Sequence, residues 1–223
     1  MIYTVISTLK ENKIETNKRD CRIIRQPLSL LYKEIEEYIN SVNNEDAREE
    51  RKLAYTTLLC ALKSFYNIEN PHISFTEHGK PYFNECGVFF SISHSDGTVA
   101  VCLSDDCEVG IDLQSEIDPL MAKKLEKRFF PGLNIKNESL GVEYYYCNLF
   151  NGEAEICSIS LPNFQADKTD YSAKWVSAES IMKLIGHGFA DSDRVITLAE
   201  GCNTEVKTID LGVKYYLAVS VSK

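Results

Sequence analysis

Alternating apolar and polar positions open the chain. "IYTVIS" reads as a strand whose side chains point to two faces in turn. In "LSLLYKEIEEYINSV" the apolar residues Leu30, Leu31, Ile35, Tyr38 and Ile39 recur at helical spacing. A longer helix follows, capped by Asn43 or Asn44. Glu45 and Asp46 suit its positive end, and Leu53, Ala54, Leu58, Leu62 and Phe65 form its apolar face. "ISFTEHGKPYF" is a strand broken by the turn signal at Gly79–Pro81. "GVFFSISHS" and "TVAVCLS" read as strands joined at Asp96–Gly97, and "EVGIDLQ" as a further strand.

"DPLMAKKLEKRFF" is helical, and "VEYYYCNLF", a turn at Asn151–Gly152 and "EAEICSISL" predict a hairpin. "YSAKWVSAESIMKLIG" is a helix that stops at Gly186 or Gly188. The closing segments "RVITLAEG", "TEVKTIDLG" and "KYYLAVSVS" read as strands. "YYLAVSVS" repeats the pattern of "TVAVCLS", which hints at two halves of similar design.

Composition narrows this picture. The 223 residues suffice for one large domain or two small ones sharing a core. No apolar run is long enough to span a bilayer. "MIYTVISTLKENK" has no basic region ahead of an apolar core, so it reads as a strand rather than a leader, and the expected compartment is the cytoplasm. The eight cysteines contain no C-x-x-C pair and read as buried thiols rather than disulfides or metal ligands. A net charge of −9 argues against nonspecific nucleic-acid binding, but leaves room for an anionic small ligand in a local basic pocket.

Four segments carry candidate chemistry. In "GIDLQ", Asp112 and Gln114 share one face and offer two oxygen donors to a hard cation such as Mg²⁺. A solvated sheet face would look the same. In "WVSAESIMK", Trp175, Glu179 and Lys183 lie at i, i+4 and i+8, a spacing that surface ion pairs also produce. In "SISHS", Ser93 and His94 can donate to phosphate oxygens. In "HGKP", Lys80 is a point charge presented on a stiffened turn.

Taken in order, "GKPYF", "FSISHS", "VGIDLQ" and "WVSAESIMKLIGHGF" resemble the 4′-phosphopantetheinyl transferases of the large, monomeric type that activate peptide and polyketide synthetases. The resemblance implies an α+β fold built as a pseudo-twofold pair of similar subdomains, each a helix packed on a small antiparallel sheet. The halves would be residues 1–105 and 106–223, the second carrying an inserted hairpin at about 142–162. The site would lie in the cleft between them. The implied reaction moves the phosphopantetheine arm of coenzyme A onto a serine of an acyl or peptidyl carrier protein, with Mg²⁺ or Mn²⁺ as cofactor.

The roles implied are specific. Asp112, Glu179 and Gln114 would hold the metal. Asp112, Glu179 and Lys183 would form the catalytic set. Lys80, Ser93, His94, Arg51 and Lys183 would bind coenzyme A, with Arg48 and Lys52 as rivals to Arg51. Glu179 is the first choice as general base, with Glu138 and Glu143 as alternatives. Both halves in one chain imply a monomer that needs no membrane and no nucleic acid.

Departures from the family pattern matter. Gln114 stands where glutamate is usual, which implies weaker metal binding. Ala178 replaces the lysine usual before Glu179, and "FSIS" stands for "FN-x-S". The 142–162 hairpin would either shape the carrier interface or only cover core. The overall acidity requires a local basic or apolar patch for an acidic carrier. Gln114 and Ala178 also keep open a degenerate, non-catalytic module that binds coenzyme A or a carrier.

Overall fold

The computed structural model describes residues 1–10, 14, 16, 20–25, 31, 33–134, 136–164, 170–187 and 195–223. Leu30 and Gly188, two residues singled out above, lie outside them. The chain is α+β. In order it forms β1 (Ile2–Thr8), β2 (Cys21–Arg25), α1 (Lys33–Asn40), α2 (Glu45–Tyr66), β3 (Ile73–Phe75), β4 (Pro81–Phe83), β5 (Phe89–Ser95) and β6 (Thr98–Ser104). There follow β7 (Val109–Ser115), α3 (Pro119–Phe129), β8 (Glu143–Phe150), β9 (Glu153–Ser158), α4 (Tyr171–Ile185), α5 (Val195–Glu200), β10 (Cys202–Asp210) and β11 (Lys214–Ser222). No helix among the described residues is long and apolar enough to cross a membrane.

Two sheets and two long helices make the framework. One sheet has six strands in the order β2-β9-β8-β1-β6-β5, and the other has three in the order β10-β11-β7. Strand alternation sorts the core into layers. Val5, Val101 and Leu103 point to α2, where Leu58, Leu62 and Tyr55 meet them. Ile6, Ala100 and Cys102, on the opposite face, pack with Ile111, Leu113, Leu217 and Val219 of the smaller sheet. The outer face of that sheet receives α4 through Ala173, Val176, Tyr216 and Ala218. The layers therefore run α2, large sheet, small sheet, α4.

The helix ends follow their sequence signals. Asn44 caps α2 by accepting from the Ala47 amide, which settles Asn43 against Asn44. Gly186 ends α4 at φ +88°, a left-handed position that favours glycine.

Three expectations are corrected. "VITLAE" is the helix α5, not a strand; its buried Val195 packs on Ala178 and Met182 of α4. Cys21 and Cys157 form a disulfide rather than staying free thiols. They face each other across the β2–β9 pairing, a juxtaposition that a separation of 136 residues hides. The first sheet is neither small nor purely antiparallel, because β1 pairs in parallel with β8. The hairpin of residues 143–158 thus joins the sheet begun by β1. It supplies buried Tyr145, Cys147, Ala154 and Ile156 to the α2 core, so it builds core rather than decorating a surface.

Candidate functional site: a carboxylate pair beside a cationic pocket

The site begins where α4 crosses β7. Gly110 has no side chain to hold the helix away. A Cβ there would overlap the Ser180 carbonyl oxygen and lie 2.5 Å from the Leu184 amide nitrogen. Two residues further along the same face stands Asp112, which this contact brings under α4. The G-x-D spacing therefore has a mechanical reason: glycine allows the approach and the aspartate uses it.

Asp112 is buried, and two donors meet at its Oδ1. Lys183 Nζ donates at 2.7 Å and Ser93 Oγ at 2.8 Å, while Lys183 also donates to Ser93 Oγ at 2.8 Å. Asp112 Oδ2 is buried with no hydrogen-bond partner among the described residues. Glu179, one turn before Lys183, is pushed up to about 8. Burial is the largest cause and the Asp112 charge the next, with Lys183 pulling the other way. A buried carboxyl group with one oxygen unmatched, beside a second whose ionisation its charge opposes, suits a hard cation that takes oxygen ligands. Asp112 and Glu179 are the carboxyl groups here that could hold one.

Gln114 does not join them in the same way. Its amide nitrogen donates to Ser95 Oγ at 3.2 Å and Ser115 Oγ at 3.4 Å. Ser93 also differs from expectation. The serines of "SISHS" face β7, and Ser91, Ser93 and Ser95 accept from the backbone amides of Ile111, Leu113 and Ser115. Hydroxyls thus satisfy the outer edge of β7 where another strand would otherwise be needed. Ser93 stitches the two sheets together beneath Asp112, and the pocket wall is made by its neighbours Ile92 and His94.

That pocket has a volume of about 280 Å³. Arg51 of α2, His78 and Lys80 of the turn before β4, His94 of β5 and Lys183 of α4 all line it, in a chain of net charge −9. Apolar walls come from Tyr55, Phe90 and Ile92. The Arg51 guanidinium lies 4.3 Å from the centre of the Tyr38 ring and donates to the Tyr38 carbonyl at 3.2 Å. Lys80 donates to Glu108 at 2.7 Å and to the Leu184 carbonyl at 2.8 Å, which fastens the turn to the C-terminal end of α4. His94 Nδ1 is 2.7 Å from Glu50 Oε2, and the other oxygen of Glu50 accepts from the Gly97 amide at 2.5 Å.

Sequence reasoning missed Glu50, which orients His94 and ties α2 to the β5–β6 turn. Its signal was its place four residues before the buried Ala54 on the same helix face. Of the rivals to Arg51, Arg48 has a buried Nε with no partner among the described residues, and neither it nor Lys52 is among the pocket-lining residues. The alternative bases lie elsewhere. Glu138 lines a separate cavity with Lys136 and Cys202, and Glu143 accepts from Tyr145 Oη on β8. Ala178 is buried against Phe130, Leu133 and Val195, in surroundings that would not accept the charged end of a lysine. Cys21, Glu155 and Cys157 bring ligand-type atoms within 4.8 Å of one another, but the two sulfurs are bonded to each other.

No family model matches the chain, and no curated protein matches it.

Proposed function

We propose that the protein is a Mg²⁺-dependent 4′-phosphopantetheinyl transferase that converts an apo acyl or peptidyl carrier protein to its holo form and releases 3′,5′-ADP. One observation carries this. The buried Asp112–Glu179 pair adjoins a pocket lined by Arg51, Lys80, His94 and Lys183, with Lys183 common to both. A carboxylate pair for a cation and a cluster of cations for phosphates are what transfer from a diphosphate requires.

Arg51, Lys80 and His94 hold coenzyme A phosphates in the pocket. Its volume of about 280 Å³ accommodates one end of that molecule and leaves the rest at the surface. Lys183 grips the transferring phosphate from the helix that also carries Glu179. Mg²⁺ held by Asp112 and Glu179 would neutralise charge that builds on the departing 5′-phosphate of 3′,5′-ADP. Glu179 accepts the proton of the carrier serine as its carboxylate. In this reading α2 and α4, each on the outer face of its own sheet, mark a pseudo-twofold pair of subdomains that part near residue 105, with the 143–158 hairpin crossing back into the first sheet and the site in the cleft between them. A monomer is the form that goes with it.

A second reading has its own support. Gln114 is engaged with serines and Ala178 is sealed in an apolar cluster, so the chain lacks two charged groups usual in the family. A module that binds coenzyme A without transferring would look like this. Intact-mass measurement of apo carrier proteins incubated with the protein, coenzyme A and Mg²⁺ decides between them. Transfer predicts a gain of one phosphopantetheine, lost with EDTA and slowed at least ~100-fold in Asp112→Ala. No gain on any carrier, with coenzyme A still bound by calorimetry, establishes the binding module.

A further inference from the structure

The Lys183 ammonium stands between two anionic demands. On one side it bonds Asp112 Oδ1 and Ser93 Oγ. On the other it lines the pocket with Arg51, Lys80 and His94. Its side chain is 32% exposed and that of Asp112 only 3%, so the lysine can turn away and the aspartate cannot. A four-carbon stem lets the ammonium move between these partners without moving α4. At Asp112 Oδ1 the ammonium already supplies the positive charge that a cation ligated there would bring. A divalent cation arriving alone would face that ammonium at close range in a buried place. Once a phosphate lies in the pocket, the ammonium has a second anionic partner and can leave the aspartate.

We propose that Lys183 couples the pocket to the carboxylate pair: it is the counter-ion of Asp112 until an anion draws it away, so a divalent cation binds weakly to the free protein and more tightly with phosphate present. This rests on Asp112 and Glu179 being cation ligands, as read above. Coupling of this kind is reciprocal, so the cation also tightens the anion. Cation and phosphate therefore enter together, and the free protein does not carry a cation at its carboxylate pair.

Mn²⁺ is the probe, titrated by electron paramagnetic resonance into the wild-type chain and Lys183→Met, with and without inorganic phosphate. Without phosphate, Lys183→Met is expected to bind Mn²⁺ at least ~10-fold more tightly than wild type, a range typical of strong coupling between sites. Saturating phosphate is expected to tighten the wild type severalfold and to shift the variant far less. Lys183→Gln, which keeps a donor towards Asp112, replaces the methionine variant if that one loses a cooperative melt, under the same criterion. Equal or weaker Mn²⁺ binding by the variant, or a wild-type affinity indifferent to phosphate, overturns the coupling alone. Absence of Mn²⁺ binding from every form overturns the cation reading of Asp112 and Glu179, and with it the metal part of the proposed function. Both results are independent of whether any carrier protein is modified.

Discussion

Glu179 is a carboxyl group placed where ionisation is unfavourable. Burial and the Asp112 charge raise its pKa from 4.5 to about 8. The folded state therefore holds this proton more tightly than the unfolded chain does. Its stabilising contribution is complete below about 4.5 and is lost as pH rises through about 8. Glu179→Gln removes the dependence. Thermal melts from pH 4 to 9 should show the variant gaining on wild type as pH rises, by at most about 5 kcal/mol at the alkaline end. An identical pH slope in both proteins would refute the raised carboxyl. Ser93 is the second test at this scale. Its hydroxyl accepts from the Leu113 amide and from Lys183, and donates to Asp112. Ser93→Ala leaves buried groups unmatched and should cost about 1–3 kcal/mol in denaturant unfolding. A serine that merely touched a pocket phosphate would cost nothing without ligand. That Asp112, Glu179 and Lys183 belong together was implied by the resemblance of four ordered segments, not by the types and spacing of the residues themselves. The inward turn of Ser93 was not, because it depends on β7 lying alongside β5.

At the scale of elements, the contact between α4 and β7 decides whether the site exists. Gly110 lies against the backbone of the helix turn that carries Ser180 and Leu184. Gly110→Ala must push α4 outward, which should cost about 3 kcal/mol. The same displacement moves Glu179 and Lys183 off Asp112, so transfer should fall by more than the loss of folded protein explains. Chemical denaturation and carrier modification measured on one preparation separate the two effects. Helix boundaries and strand alternation were readable to within a residue or two because they are set by near neighbours: Asn43 or Asn44 as cap, Gly186 or Gly188 as stop and the apolar face of α2 are local readings. The misread α5 is also local, but six residues are too few to establish a helical period, and its place is fixed by Val195 burying against α4.

Across the whole molecule, the six-stranded sheet gathers strands from distant parts of the chain. Among the described residues β2 pairs with β9 alone, and Ile23 on it is 60% exposed. The Cys21–Cys157 bridge closes a separation of 136 residues across that pairing. By restricting the unfolded chain it should stabilise the oxidised protein by about 4 kcal/mol. Denaturant unfolding with and without a dithiol reductant, against Cys21→Ser, measures this. The variant should match the reduced wild type and ignore the reductant. Trimming the 143–158 hairpin would remove the strands between β1 and β2, so loss of the fold is the expected result and carrier selectivity cannot be tested that way.

The sequence by itself determined the elements with clear periods, hence a chain that mixes helices and strands, and the positions of its carboxyl, hydroxyl and cationic side chains. All of these depend on near neighbours or on chemistry that a side chain carries wherever it lies. Tertiary structure alone decided the partners. It set β8 beside β1, joined Cys21 to Cys157, brought Glu50 to His94, turned Ser93 towards Asp112 and closed Ala178 under Val195. The physical reason is that pairing and burial are chosen by the fit of whole faces, and a face combines residues that no local pattern connects.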